Sequence, residues 1–240
     1  MNVPLHAADC SNLLLSQLPE EEYRQLKPFL EWMPCPLKSS FYQRGQTIDF
    51  VYFPLSGEHS VLAIMENGSA IEVGTVGYEG FSTIEALTGN SIALEKVTCQ
   101  IPGEALRMPI GPFLEAMEGK TALRDMVYRY LYFYLAQVSQ SVACNRLHTT
   151  EERFAKWLLM CHDRVTGDEI AITQEFLADM LGVHRPSVSV IARGFQQLEL
   201  IRYSRGLVHI VDRAGLEEAS CECYATMRKR FVQVLGKPRH

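Results

Sequence analysis

Short runs of alternating apolar and polar residues, separated by glycine turns, dominate the first hundred residues of the chain. They follow a predicted helical segment at 18–33 and include the stretch FYQRGQTIDFVYFPLSGEHSVLAIMENGSAIEVGTVGYEG. Asn67-Gly68 lies between two such runs and is a favoured hairpin turn. No long helical period occurs before about residue 112. This pattern predicts an antiparallel β-roll of the jelly-roll type, within an α+β fold.

The segment at 120–144 is apolar over the length of a long helix. Between Met126 and Val138 only Arg129 and Gln137 are clearly polar, so a helix here must be covered on more than one side. We predict that the roll covers one face and a second copy of the chain covers another. The face that we assign to the dimer contains Leu123, Val127, Tyr130, Tyr134, Gln137, Ser141 and Cys144. The alternating tyrosines at 128–134 leave a strand as the alternative.

Residues 174–198 have the spacing of two short helices joined by a tight turn. Counting from Gln174, small Ala178 is fifth, Gly182 is ninth, and Val188 and Ile191 are fifteenth and eighteenth. A small residue lets the helices approach closely, and a glycine can take the left-handed conformation that ends the first helix. Two further residues mark helix starts, namely the predicted N-cap Thr173 and the first-turn Pro186. The spacing predicts a helix-turn-helix.

The second of these helices separates into an inner and an outer face. Val188, Ile191, Phe195 and Leu198 share the predicted core side. Arg185, Ser189, Val190 and Arg193 lie on or beside the outer side, where side chains can meet base edges or phosphates. Downstream, residues 198–213 read as the end of this helix, a strand, a Ser204-Arg205-Gly206 turn and a second strand, which predicts a wing.

Composition and charge are consistent with two domains and a selective polyanion contact. The chain carries a net charge of −5, but residues 183–211 contain Arg185, Arg193, Arg202 and Arg205 against Glu199 alone. A local basic stripe on an acidic protein favours selective DNA contact. No window of about 18 residues is continuously apolar and the N-terminus lacks a signal pattern, so we expect a cytoplasmic protein without membrane segments. The predicted domains are 1–119, 120–146 (the dimerisation helix and hinge) and 147–240.

The order of roll, long helix, helix-turn-helix and wing resembles the Crp/Fnr family of bacterial transcription regulators, and the likeness is strongest from Asn145 to Tyr224. The resemblance implies that Thr173 and Gln174 contact the DNA backbone and that Arg185, Ser189 and Val190 read bases. Ser187, Arg193 and Arg205 complete the predicted DNA-binding set. Pro186 stands where many members have an acidic residue, and Val190 stands where an arginine is frequent, so we expect a half-site different from the usual one.

The same resemblance places an effector pocket in the roll. The segment Gly77-Tyr78-Glu79-Gly80-Phe81 resembles the start of the phosphate cassette of cyclic-nucleotide members, and Gly77, Glu79, Gly80 and Phe81 are the candidate pocket residues. From Gly80 to Gln100 there is no arginine, only Lys96. Because a buried phosphate needs a bidentate cation, we expect an unknown small-molecule effector, or none, and not cyclic AMP.

The seven scattered cysteines give little sign of a metal centre. Cys10 and Cys35 lack the close spacing of iron–sulfur members. Cys221-x-Cys223 is too close for a usual zinc knuckle and has no second cysteine pair. His59 has no neighbouring histidine, so we expect a surface or hydrogen-bonded side chain. We therefore predict free buried thiols, no metal and no cofactor.

Together these features predict a homodimeric regulator that binds an inverted repeat in double-stranded DNA, with half-sites about one helical turn apart. RNA polymerase is a further expected partner of an activator. An enzyme on such a scaffold would need a convergent histidine and carboxylate cluster, which the sequence lacks. The alternative is a small-molecule-binding module whose DNA-binding unit is inactive or secondary.

Overall fold

The computed structural model describes residues 2–238, which form two compact units. Within the described residues, one unit contains 2–62 and 75–134, and the other contains 63–74 and 135–238. The strands are β1 Glu31–Cys35, β2 Ser40–Tyr42, β3 Phe50–Ile64, β4 Ala70–Val76, β5 Lys96–Pro109, β6 Glu169–Ala171, β7 Ile201–Ser204 and β8 Leu207–Ile210. The α-helices are α1 Leu13–Ser16, α2 Glu20–Leu26, α3 Ile110–Ala116, α4 Ala122–Leu147, α5 Thr150–His162, α6 Gln174–Leu181, α7 Arg185–Gln197, α8 Arg213–Ala219 and α9 Glu222–Leu235.

The antiparallel sheet predicted for the N-terminal half is confirmed. Its strand order is β1-β5-β3-β4, and β2 also pairs with β5. The Asn67-Gly68 turn joins β3 to β4, with Gly68 at a φ of +83°. β3 and β5 approach each other closely where both carry glycine: a Cβ on Gly103 would lie 2.2 Å from the carbonyl oxygen of Ser56, and one on Gly57 would lie 2.4 Å from that of Ile101. This contact accompanies the register shifts that bend the long strands.

The predicted helical segment at 18–33 is wrong in its second half. Helix α2 ends at Leu26, and Pro28 lies in a short 3-10 turn at Lys27–Phe29. Trp32 and Met33 belong to β1, where they pair with Leu106 and Ala105. The apolar run could fit either element, and pairing with β5 decides for a strand.

Helix α4 confirms that 120–144 is helical, but the predicted dimer face is wrong. Leu123, Val127 and Tyr130 are at most 1% exposed and are buried inside their own chain. The Tyr130 ring lies 5.5 Å from that of Phe81, and a Cβ added to Gly80 would overlap it. Gln137, of the same predicted set, is also buried. A helix with two apolar faces offers no sequence signal for which face its own chain covers.

The exposed apolar side of α4 lies elsewhere on the helix. Tyr128, Tyr132, Leu135 and Val142 are 49%, 61%, 57% and 69% exposed. With exposed Ser139 they recur at alternating four- and three-residue spacing, which is the spacing of a helix-pairing seam. We call these five residues the α4 seam.

In the C-terminal unit, the helix-turn-helix and the wing are confirmed. Thr173 accepts a hydrogen bond from the Phe176 backbone amide and caps α6, while Gly182 ends that helix at a φ of +63°. Strands β7 and β8 form the wing, and β6 adds a third strand that the sequence analysis did not predict. Helix α5 begins with a capping box between Thr149 and Glu152.

The prediction that Leu198 belongs to the core face of α7 is wrong. Val188, Ile191 and Phe195 are buried, but Leu198 is 69% exposed. Helix α7 ends at Gln197, and Glu199 takes a left-handed φ of +58°, so the chain turns before Leu198 can complete the face. The next apolar residue, Leu200, is buried in its place.

Candidate nucleic-acid interface

The outer face of α7 lies beside the wing and presents basic and apolar side chains to solvent. Arg185, Ser187 and Arg193 are exposed, and Val190 is 68% exposed. Pro186 occupies the first turn of α7, where its missing amide hydrogen removes no helical hydrogen bond. The N-terminal turns of the helix therefore carry both the guanidinium and the aliphatic groups that the sequence analysis assigned to DNA.

A cleft joins the start of α6, the start of α7 and the tip of the wing. It is lined by Thr173, Gln174, Arg185, Tyr203, Ser204, Arg205 and Gly206. Arg205 and Gly206 are the two central residues of the wing turn, and both have positive φ, at 51° and 78°. That conformation matches a two-residue turn of the mirror-image type, which fits the twist of a hairpin. The turn places the exposed Arg205 at the cleft.

Ser189 and Gln174 form a contact that sequence reasoning did not foresee. The Ser189 hydroxyl donates to Gln174 Oε1 at 2.8 Å, which ties the middle of α7 to the first residue of α6. Tyr203 supports the same region, because its hydroxyl donates to the carbonyl of Ile172 and its backbone amide donates to Gln196 Oε1. These contacts fix the relative position of α6, α7 and the wing.

The predicted effector residues are packed into the roll. Phe81 is fully buried, and the centre of its ring lies 6.0 Å from that of Phe53 and 5.4 Å from that of Phe113. Its side chain therefore packs in the hydrophobic core and does not line a pocket. Glu79 is 1% exposed and accepts a hydrogen bond from the Gly77 backbone amide. Gly80 lies against Tyr130. In this conformation Phe81 and Gly80 present core contacts and not a ligand surface.

The roll also buries a group of polar side chains. Glu58, His59, Ser60, Ser82 and Gln100 are each at most 1% exposed. The His59 Nδ1 atom lies 2.8 Å from the Ser82 hydroxyl, which confirms the expected hydrogen-bonded histidine and places it inside the unit instead of on the surface. Burial lowers the pKa of His59 to about 3, so the ring is neutral at pH 7. No lysine or arginine in residues 2–238 belongs to the buried set.

This buried histidine leads to a pH prediction. The folded imidazole has a pKa near 3, and the unfolded one has a pKa of about 6.5. Below pH 6.5 the unfolded chain binds a proton that the folded chain does not, so the free energy of unfolding falls as the pH drops. Urea unfolding at pH 7 and at pH 5.5 gives the fall in unfolding free energy between the two pH values. We expect this fall to be about 1 kcal/mol smaller in His59→Gln than in the wild type. Equal losses in the two proteins would contradict this.

A second cluster, in the C-terminal unit, was missed at the sequence level. All seven cysteines are free and buried, as predicted, but Cys144, Cys221, Cys223 and His148 bring their donor atoms within 4.8 Å of one another. The Cys144 and Cys221 sulfurs are 3.6 Å apart. The hydrogen bond with Cys221 lowers the pKa of the Cys144 thiol. The available signal was Cys144-x-x-x-His148 at helical spacing, which puts both side chains on one face.

Comparison with known proteins agrees with this architecture. Residues 152–219 match the Crp-like helix-turn-helix domain. A CRP-family transcriptional regulator from Thermus thermophilus has a TM-score of 0.66 at 21% identity, over 78% of this chain and 96% of the other. FixK2 from Bradyrhizobium japonicum has a TM-score of 0.69 at 12% identity, over 80% and 98%. The c-di-GMP-responsive regulator CLP of Xanthomonas campestris has a TM-score of 0.62 at 13% identity, over 81% and 100%. No curated protein matches the chain by sequence.

Residues 152–219 therefore form a Crp-like helix-turn-helix domain, and the fold of the chain is similar to that of solved CRP/FNR-family regulators. Within residues 2–238, none of the helices has the length and apolar character that a membrane span requires.

Proposed function

We propose that this protein is a cytoplasmic homodimer that binds an inverted-repeat DNA site and regulates transcription there. The observation that carries the proposal is the grouping of Thr173, Gln174, Arg185 and Arg205 around one cleft beside the exposed face of α7. A protein that reads the major groove requires side chains that can contact the DNA backbone, placed next to a helix with exposed arginines. RNA polymerase is the further partner that an activator would need.

Within this surface, we assign different tasks to different residues. Thr173, Gln174, Ser187 and Arg205 lie at a helix start or the wing tip and would contact phosphates. Arg185, Val190 and Arg193 would face base edges, with Val190 suited to a thymine methyl group. Ser189 would act by holding Gln174 in place, since its hydroxyl is engaged there.

The second copy would pair through the α4 seam. Four large apolar side chains of the seam are about half exposed or more, and a parallel pair of α4 helices would bury them while placing two recognition helices on one face of the duplex. The seam replaces the face that the sequence predicted for the dimer, most of whose residues the chain itself buries.

The effector of this regulator would not be cyclic AMP. A buried cyclic phosphate needs a cation, and the buried polar groups of the roll include the carboxyl of Glu58 and a neutral His59 but no lysine or arginine among the described residues. A signal in the roll would act through α4, which passes from one compact unit into the other. The c-di-GMP-responsive regulator of similar fold indicates that a different effector is compatible with this architecture.

Selection of DNA sites from a random pool tests the proposal. Purified protein without added ligand should enrich an inverted repeat, and its affinity should fall steeply between two salt concentrations. Enrichment of a symmetric site would also show that the protein binds DNA without an effector. If no site is enriched either with pure protein or in cell extract, the alternative of a ligand-binding module with an inactive DNA-binding unit is correct.

A further inference from the structure

We propose that Cys144, His148, Cys221 and Cys223 bind one Zn²⁺ ion, which joins the end of α4 to the start of α9. We call these four residues the cysteine–histidine site. Cys144 and His148 lie one helical turn apart, and the His148 backbone amide continues the helical pattern by donating to the Cys144 carbonyl at 3.1 Å. Cys221 is the N-cap of α9, and Cys223 lies in its first turn. The two pairs come from segments far apart in sequence, so only the fold brings them together.

The distances fit a single tetrahedral ion. The Cys144 and Cys221 sulfurs are 3.6 Å apart, as are the Cys223 sulfur and His148 Nδ1. With zinc–sulfur bonds of about 2.3 Å, the edges of a tetrahedral site are about 3.8 Å long. All four donor atoms lie within 4.8 Å of one another, so a small ion at their centre can reach each of them.

The neighbours of the cysteine–histidine site orient its ligands. His148 Nε2 lies 2.9 Å from Glu222 Oε2, and a hydrogen bond there leaves Nδ1 free to coordinate and aimed at the thiols. A carboxylate behind a ligating histidine is a common arrangement in zinc proteins. Gln140 Nε2 donates to the Cys223 sulfur at 3.1 Å, which stabilises negative charge on that sulfur. Glu222 therefore orients the imidazole, and Gln140 favours the thiolate form of Cys223.

The chemistry of the ligand set favours zinc over other occupants. Three thiolates and an imidazole in tetrahedral array are typical of structural zinc. An iron–sulfur cluster places iron and sulfide between its ligands and would hold them further apart. A disulfide between Cys144 and Cys221 would require a bond of about 2.05 Å, whereas these sulfurs are 3.6 Å apart and both cysteines are free.

The first test measures metal in full-length protein purified under reducing conditions without a metal-affinity tag. We expect about one zinc per chain, released when the thiols are blocked. Protein in which zinc is replaced by Co²⁺ should show thiolate-to-cobalt charge transfer and the intense visible bands of a tetrahedral site. Less than stoichiometric zinc after incubation with Zn²⁺ and dialysis, or a weak octahedral cobalt spectrum, would overturn the proposal. A Cys144–Cys221 disulfide found by mass spectrometry in protein purified this way would do the same.

Variants locate the ion. Cys144→Ser should abolish stoichiometric binding, whereas Cys161→Ser, which alters a buried thiol of the same unit outside the cysteine–histidine site, should retain one zinc per chain. Glu222→Gln leaves all four ligands in place and should weaken zinc affinity about 10–100-fold. His148→Cys replaces one ligand by another, so it should keep the metal and change the cobalt spectrum to that of four thiolates. Because this variant retains the ion, the test does not depend on whether Cys144→Ser folds. Unchanged affinity in both Glu222→Gln and His148→Ala would exclude His148 as a ligand.

Discussion

Replacing Leu135 with glutamate should convert the protein from a dimer into a monomer. Leu135 lies near the middle of the α4 seam and is 57% exposed in the single chain. In a two-fold symmetric pair each substitution occurs twice, so two like charges would be forced into one apolar interface. Because an unpaired buried charge costs about 3–5 kcal/mol, we expect the dimer dissociation constant to rise by at least about 100-fold.

Sedimentation velocity over a range of concentrations measures this effect. The matched control is Arg129→Glu, which places a carboxylate at another exposed position of α4, about 100° around the helix from the seam. The control should remain dimeric. A dimer of Leu135→Glu as stable as the wild type, or a wild type that is itself monomeric, would show that α4 does not pair through the seam.

Arg185→Ala should weaken binding to the selected DNA site more than binding to random DNA. Arg185 is exposed at the first position of α7 and lines the cleft beside the wing. A lost bidentate contact to a base edge costs about 1–3 kcal/mol, which corresponds to about 5–150-fold in affinity for each half-site. Fluorescence anisotropy with a labelled duplex measures both affinities across a salt series.

The salt series separates the two roles open to this guanidinium. If Arg185 reads a base, the affinity for the specific site falls while that for random DNA changes little. If it binds a phosphate, both affinities fall together and the slope against salt decreases by about one for each contact. The control is Arg24→Ala, which removes an exposed arginine of the N-terminal unit that pairs with Glu21. Equal affinities of Arg185→Ala and Arg24→Ala for the selected site would contradict a direct role in DNA binding.

The helix-turn-helix could be predicted from the sequence because its determinants are local. The Thr173 cap, the Gly182 turn and the apolar spacing of α7 each act within a few residues, and each appears in the structure as predicted. Leu198 shows the limit of this reasoning. Its periodicity continues that of α7, but the helix ends at Gln197 and the left-handed turn at Glu199 carries the chain away from the face.

The face of α4 and the cysteine–histidine site could not be predicted because they depend on contacts between distant segments. Both sides of α4 are apolar, and the packing of Tyr130 against Phe81 and Gly80 decides which side the chain buries. Likewise, Cys221 and Cys223 meet Cys144 and His148 only because α9 begins beside the end of α4. A cysteine and a histidine four residues apart at the end of a helix form a weak signal that needs the second pair to become specific.

The most direct test of the central claim compares the selected inverted repeat with the same half-sites moved apart by about 5 bp, half a turn of the duplex. A dimer whose recognition helices are held by paired α4 helices can engage both half-sites only when they face the same side of the DNA. We expect affinity for the altered site to fall to that of a single half-site. Equal affinity for both spacings would contradict a dimer of fixed geometry as the DNA-binding form of this protein.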